Sequence, residues 1–226
     1  MLTQWPCPRL DGSVGDELAV AFAEGREKRV LLCPPLFDEH NKFRRQMVEI
    51  MRRLTLSGID SALPDCPGWN ESTEPLGEQT LAHWRSCMTA AATHFGATHC
   101  LTFRAGALLA PGDLPGWRYA PVAGRQILRA MIRARILAAR EAGRSETMDD
   151  LQDLGRREGI ELAGWTLGHE LFREMETAQL SDNPVQQVIE QDLVGGRGLW
   201  LRAEPDEDPE QADAIAAIVA MALQAA

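Results

Sequence analysis

His99-Cys100-Leu101-Thr102-Phe103-Arg104-Ala105-Gly106-Ala107-Leu108-Leu109 is the stretch on which the fold turns. Its first part, His99 to Phe103, is a short apolar run of the kind buried on both faces of a parallel sheet. The part from Gly106 to Ala110 is small and apolar, and predicts a helix packed closely beneath that sheet. Between them the chain must turn sharply, with Arg104 at the apex. Such a turn needs small residues just past the apex so that helix and strand can approach, and Gly106 and Ala107 supply them. Arg104 would then sit at a helix N-terminus, where free backbone N–H groups and the helix dipole already favour negative charge.

The pattern repeats upstream. Arg29 to Cys33 predicts a strand, ended by Pro34 and Pro35. Asn41 to Leu56 predicts a helix, with Phe43, Met47, Ile50, Met51 and Leu54 as its apolar stripe and Gly58 at its C-terminal end. Ile59 to Pro64 reads as a second strand and Thr80 to Phe95 as a second helix. Residues 1 to 28 supply a lead-in strand or two around Leu18 to Phe22. Downstream, Tyr119 to Val122 reads as a strand and Gly124 to Arg140 as a helix whose apolar side is Ile127, Leu128, Met131, Ile132 and Ile136. Ser145 to Glu158 reads as a polar helix, Gly159 to Gly164 as a short strand, and Gly168 to Ala178 as a helix. Val185 to Ile189 and Gly198 to Arg202 are two further strand candidates, before a last helix from Pro209 to Leu223.

Strand, helix, strand, helix, strand in short order is the mark of the α/β class. The expected architecture is α/β-hydrolase-like: a doubly wound, mostly parallel sheet with helices on both faces and a small helical insertion. Residues 1–226 are read as one domain, with a helical cap or insertion at about 124–158. In that fold the sharp turn is the nucleophile elbow, G-x-S-x-G. Here the first position is Thr102 and the third is Arg104. A guanidinium stays charged at any useful pH and cannot be the nucleophile. The histidines are His40, His83, His94, His99 and His169, so none lies near the C-terminus where the triad base belongs. An ordinary serine-hydrolase mechanism is therefore not expected, and whether the chain is an enzyme stays open.

Arg104 has two readings: a ligand for a carboxylate or phosphate, which it can grip in bidentate fashion, or a structural cation paired with a buried acid. The segment Pro34-Pro35-Leu36-Phe37-Asp38-Glu39-His40-Asn41-Lys42-Phe43-Arg44-Arg45 follows the first clear strand, where hydrolases of this fold build the oxyanion hole. Glu39 and His40 are the candidate general bases. Asn41, Arg44, Arg45, Arg104, Arg125 and Trp69 are the candidate ligand-binding residues; Glu39, Asn41, Lys42 and Arg45 are expected to face the C-terminal edge of the sheet beside Arg104, where such folds bind ligands. Against this stand helix capping for Asn41 and His40, a solvated basic face for the arginines, and plain packing for Trp69.

Composition narrows the field. Hydrophobic residues make up 45% of 226, enough for a sizeable core, and the net charge of -10 argues against nucleic-acid binding. Glu204, Asp206, Glu207, Asp208 and Glu210 crowd one stretch that reads as a solvated acidic loop. The five cysteines, Cys7, Cys33, Cys66, Cys87 and Cys100, have no close-spaced pair, which argues against a disulfide framework and a zinc site. No metal or cofactor is expected. Met1 to Asp11 holds no long apolar run and no membrane span is read, so the expected location is cytoplasmic.

Four motifs in order resemble the exosortase A system-associated hydrolases. A proline pair leads into Glu39, Asn41, Lys42, Arg44 and Arg45; Phe103-Arg104-Ala105-Gly106-Ala107-Leu108-Leu109 matches the family's serine-less elbow; Pro121, Val122, Gly124 and Arg125 form the third motif; Glu161, Ala163, Gly164, Trp165 and Leu167 form the fourth. The resemblance covers about residues 29 to 202, and His40, Phe43 and Thr102 depart from it. It implies an α/β-hydrolase fold and a setting of exopolysaccharide production and PEP-CTERM protein sorting in Gram-negative bacteria. Three functions follow as alternatives: an enzyme acting on a small anionic or lipid-linked substrate, an inactive relative that binds such a ligand or a protein partner, and a subunit of a homo-oligomer assembled through the Gly124 to Arg140 helix.

Overall fold

The computed structural model describes residues 1–225. Seven strands form one sheet in the order β1 (Leu2–Pro8), β2 (Val14–Phe22), β4 (Asp60–Pro64), β3 (Arg29–Cys33), β5 (His99–Phe103), β6 (Gly116–Tyr119), β9 (Gln186–Ile189). β1 and β2 pair antiparallel, as do β2 and β4, and every pairing from β4 to β9 is parallel. The mostly parallel, doubly wound sheet with helices is thus present. The short runs read as strands from continuous apolar sequence occupy its centre, where β3 and β5 are covered on both faces.

Side-chain alternation divides the core. Leu31, Cys33 and Ala62 face α2 (Leu81–His94), α3 (Gly124–Glu141) and α5 (His169–Thr177), packing with Trp84, Met88, Ile132 and Phe172. Val30, Leu32, Leu63, Leu101 and Phe103 face the other way, toward α1 (Asp38–Leu56) and α7 (Pro209–Ala225). The predicted α1 stripe of Phe43, Met47, Ile50, Met51 and Leu54 is fully buried there. Each such side chain contributes roughly 1.5–3 kcal/mol by leaving water.

Several segments differ from the sequence reading. Gly198 to Arg202 is no strand: Leu199–Leu201 forms a 3-10 turn that brings Trp200 back against Arg104. The apolar stretch beyond the elbow is a 3-10 segment, Arg104–Leu109, too short and tight to be an α-helix. The strand placed at Tyr119 to Val122 is β6 and ends at Tyr119, because Ala120 turns to positive φ. The strand read in Gly159 to Gly164 is β7 (Ile160–Leu162). It pairs with β8 (Trp165–Leu167) in a separate hairpin and not with the main sheet. β1 and β2 span most of residues 1–22, far more than a lead-in near Leu18. α3, α4 (Met148–Glu158), the hairpin and α5 fill the chain between β6 and β9, and α6 (Gln191–Val194) follows β9. The acidic stretch is more than a solvated loop. Glu207 pairs with Arg45 at 2.5 Å, and the Asp208 backbone exchanges two hydrogen bonds with the Gln46 amide, so this stretch fastens α7 to α1.

Asp60 ties down the turn before β3. Its carboxylate is 3% exposed and accepts backbone N–H bonds from Glu24, Gly25 and Arg26 at 2.9–3.1 Å. Asp60→Ala removes all of them at once. The expected loss is about 2–3 kcal/mol, because N–H bonds to a charged acceptor are the stronger kind. Urea denaturation of the two proteins measures it, and a midpoint unchanged by Asp60→Ala would refute the cost.

Candidate functional site

Arg104 stands at the elbow with φ +53°, a left-handed conformation that a side chain of this size adopts only where its surroundings force it. What forces it is the descent from β5 into the 3-10 segment. Gly106 lies directly against the loop after β3, so close that a Cβ built on it would fall 2.6 Å from the Cys33 carbonyl oxygen. Phe37 (φ +56°), Ala120 (φ +42°) and Ala163 (φ +51°) are similarly strained. Phe37 and Ala120 lie in the turns after β3 and β6, at the same sheet edge as the elbow. Strain of about 1–3 kcal/mol per residue at one edge marks it as the candidate site.

The guanidinium of Arg104 is held on three sides. Nε donates to Glu39 Oε2 at 3.1 Å and Nη2 to Glu39 Oε1 at 3.3 Å, a two-pronged ion pair. Nη1 donates to the Ala120 carbonyl at 3.0 Å. The indole of Trp200 stacks beneath, with Arg104 Cζ 4.0 Å from its centroid. Burial pushes the Glu39 carboxyl above its usual range, against the pull of Arg104 and Lys42. Glu39 therefore takes up a proton more readily than an exposed glutamate.

Beside this pair opens a cavity of about 240 Å³. Its walls are apolar: Leu36 and Phe37 from the β3 loop, Ile127, Met131 and Ala134 from α3, and Trp200. Asp38, Glu39 and Lys42 supply its polar side, with Lys42 Nζ 2.8 Å from Asp38 Oδ2. A second cavity of about 260 Å³ lies around the start of β3 and β4, lined by Ala21, Ala62 and Phe95. It includes none of the elbow side chains. Sheets of this kind bind at the opposite, C-terminal edge, which favours the first cavity.

The other candidates separate along α1 because successive residues point about 100° apart. His40 is 2% exposed and stacks edge-on against Trp69, ring centroids 5.3 Å apart. Its Nε2 lies 3.5 Å from Arg44 Nη1. Burial, then the Arg44 charge, holds its pKa down to about 3. Arg44 donates to Asp65 Oδ1 at 2.8 Å, and Asn70 donates to the same oxygen at 2.6 Å. Burial raises the Asp65 carboxyl although both neighbours pull it down. His40, Arg44, Asp65, Trp69 and Asn70 thus make a second polar cluster beyond β4. Trp69 is 3% exposed and packs on Trp84. Arg45 faces Glu207 on the α7 side, Asn41 is exposed on α1, and Arg125 is exposed in the first turn of α3. The structure brings Glu39 to Arg104 and leaves Arg44, Arg45, Asn41 and Arg125 elsewhere.

Lys42, expected at this sheet edge, does line the pocket, whereas Trp200 is a functional residue that the sequence did not point to. Trp200 lies about a hundred positions from the elbow in a segment read as a strand. No spacing signal could have placed it there. Among the described residues, no group of three or more His, Cys, Asp or Glu side chains is arranged to hold a metal ion, and no helix is long and apolar enough to cross a membrane.

A strained elbow after the central parallel strand, a loop after β3 packed against it, and this strand order together define the α/β-hydrolase fold. Solved structures agree. Alpha/beta hydrolase domain-containing protein 10 from mouse superposes with a TM-score of 0.59 at 13% identity, over 99% of this chain and 97% of that one. The esterase domain of a Rhodothermus marinus protein gives 0.52 at 8%, over 100% and 98%. Est1E from Butyrivibrio proteoclasticus, solved with ferulic acid, gives 0.51 at 15%, over 77% and 74%. At such identities the likeness establishes the fold alone. No family model and no curated protein matches the sequence.

Proposed function

We propose that this chain is a hydrolase-fold binding protein, which holds a small amphipathic anion at the elbow and does not cleave it. The observation that carries this reading is Arg104 itself: the position that should attack a carbonyl holds a cation pinned by Glu39, the Ala120 carbonyl and Trp200. His40, the imidazole that follows the β3 loop, is buried, neutral and engaged with Arg44 and Trp69. In the free protein the Glu39 carboxylate occupies the place of the ligand's anionic group. A carboxylate or phosphate displaces it, aided by the burial that disfavours the ionised Glu39 carboxyl. The ligand's apolar part then fills the cavity between Leu36, Met131 and Trp200. The resemblance of four motifs to exosortase A system-associated hydrolases supports a bacterial, cytoplasmic setting in exopolysaccharide and PEP-CTERM sorting systems, with a lipid-linked anion as the natural ligand class.

One observation favours a second reading. A half-buried glutamate with a raised pKa beside a cavity is also a general base for an attacking water. Calorimetric titration with hexyl phosphate and with hexanol, run beside an ester, thioester and phosphoester panel, separates the two. Binding of hexyl phosphate that weakens at least about tenfold in Arg104→Gln, with no turnover, supports the binding protein; a tenfold loss is 1.4 kcal/mol, within what one bidentate contact supplies. Turnover abolished by Glu39→Gln would support the enzyme. Arg104→Ser should hydrolyse nothing, since it restores a hydroxyl without a base to activate it.

A further inference from the structure

Cys7, Cys66 and Cys87 stand far apart in sequence, are fully buried, and meet in the fold. Cys7 comes from the edge strand β1, Cys66 from the turn after β4, and Cys87 from the middle of α2. Cys87 is the hub, sharing one buried cluster with Cys66 and Cys7. Its Sγ lies 3.6 Å from Nε2 of His83, one turn earlier on α2. Cys7 Sγ and Cys87 Sγ also approach a single carbonyl oxygen, that of Pro8, at 3.6 and 3.7 Å.

We infer that Cys87 is a peroxide-reactive cysteine that closes a disulfide with Cys7 or Cys66. Nothing in the elbow reading requires or uses this cluster. The chemistry needs a sulfur whose anion is favoured, a nearby proton acceptor, and a second thiol within reach. The neighbouring thiols of Cys66 and Cys7, the half-buried His83 3.6 Å away and the Arg9 charge favour the anion on Cys87, whose pKa is held well below the ordinary thiol value. The nearby Cys87 sulfur and burial push Cys7 and Cys66 the other way, leaving them as protonated resolving thiols. β1 is an edge strand, paired on one side only, so local opening at Pro8 and His83 admits a small peroxide without unfolding the sheet.

In the first step the Cys87 proton passes to His83 and the sulfur attacks a hydroperoxide. An S–O bond forms as the O–O bond breaks, the leaving alkoxide or hydroxide takes the proton from His83, and Cys87 becomes a sulfenic acid. In the second step the Cys7 or Cys66 sulfur attacks the Cys87 sulfur. The S–S bond forms, the S–O bond breaks, and hydroxide leaves with the resolving thiol's proton as water. Two thiols are oxidised, and one peroxide is reduced to an alcohol, or to water, plus a water.

Reduced full-length protein treated with a small excess of hydrogen peroxide tests this. The expected product is lighter by two hydrogens, is reversed by dithiothreitol, and gives a non-reduced peptide linking Cys87 to Cys7 or Cys66, formed faster than the protein unfolds. His83→Gln should slow its formation about tenfold and leave the product unchanged. The inference is overturned by a product that only gains oxygen, by a disulfide that omits Cys87, or by linkage no faster than global unfolding. Equal rates in His83→Gln overturn the proton transfer assigned to that residue. Cys87→Ser should lose the two-hydrogen change; the wild-type peptide map decides the matter even where that variant folds poorly.

Discussion

Gly106→Val is expected to leave almost no folded protein, a loss of about 4 kcal/mol or more. The reason is space and not backbone conformation, since Gly106 has no positive φ. An added Cβ would lie 2.6 Å from the Cys33 carbonyl oxygen, 2.8 Å from the Pro34 carbonyl carbon, and closer still to the Pro34 oxygen. These are main-chain atoms at the end of a central strand, and Pro34 and Pro35 stiffen the loop they begin. A flexible side chain could swing aside, but this backbone cannot. Gly106→Ala meets the same atoms and should fail nearly as badly. Gly58→Ala is the control: Gly58 sits at φ +78° with nothing within 4 Å, so its cost is the left-handed strain alone, roughly 1–2 kcal/mol. Soluble yield and thermal melting by circular dichroism distinguish the two positions. A Gly106→Ala melting point within a few degrees of wild type would mean that the elbow does not press on the β3 loop and that this contact does not hold Arg104 in its left-handed conformation.

The same contact explains why the elbow was legible in the sequence while its chemistry was not. A short buried strand running into Gly106 and Ala107 announces a tight turn, because only small residues fit under it. The run of Phe43, Met47, Ile50, Met51 and Leu54 announces α1 in the same direct way, since its period is that of the helix. The partners of Arg104 follow from tertiary placement. The sequence marks Glu39 as a base and Arg104 as an anion ligand or the partner of a buried acid, but holds no means of joining those two residues. Their pairing depends on how the first turn of α1 is aimed after Phe37, a residue at positive φ. Trp200 escaped because Gly198 to Arg202 carries a strand-like apolar pattern, which a 3-10 turn with one buried leucine carries equally well. The thiol cluster escaped for a related reason: spacing rules detect cysteines close in sequence, and these three converge from different elements. β7 and β9 show the limit from the other side. Both are short, and sequence pattern did not tell that one joins the main sheet and the other a hairpin.

Acid should destabilise this protein steeply, and His40 should account for much of the slope. In the unfolded chain its imidazole titrates near 6.5. In the fold its pKa is held down to about 3, first by burial and then by the Arg44 guanidinium. Between those values the unfolded chain binds a proton that the folded protein refuses. The stability contributed by neutral His40 is therefore complete above pH 6.5 and drains away as pH falls toward 3. The slope is about 1.4 kcal/mol per pH unit, and the accumulated loss is on the order of 5 kcal/mol at the acid end. Glu39 and Asp65 work in the opposite sense. Their folded pKa values are raised, so each costs stability once ionised and relieves that cost when protonated in acid. Measured alone, the wild-type curve sums these contributions; the difference between wild type and His40→Gln isolates one of them, because glutamine offers Arg44 a neutral acceptor that does not titrate. Urea denaturation at half-unit steps from pH 7 to 4 should give two curves that converge as pH falls, with the wild type losing its advantage at up to about 1.4 kcal/mol per unit. Parallel curves would show that His40 titrates normally. It would then be accessible to water beside Arg44 and Trp69, and available as a base after all.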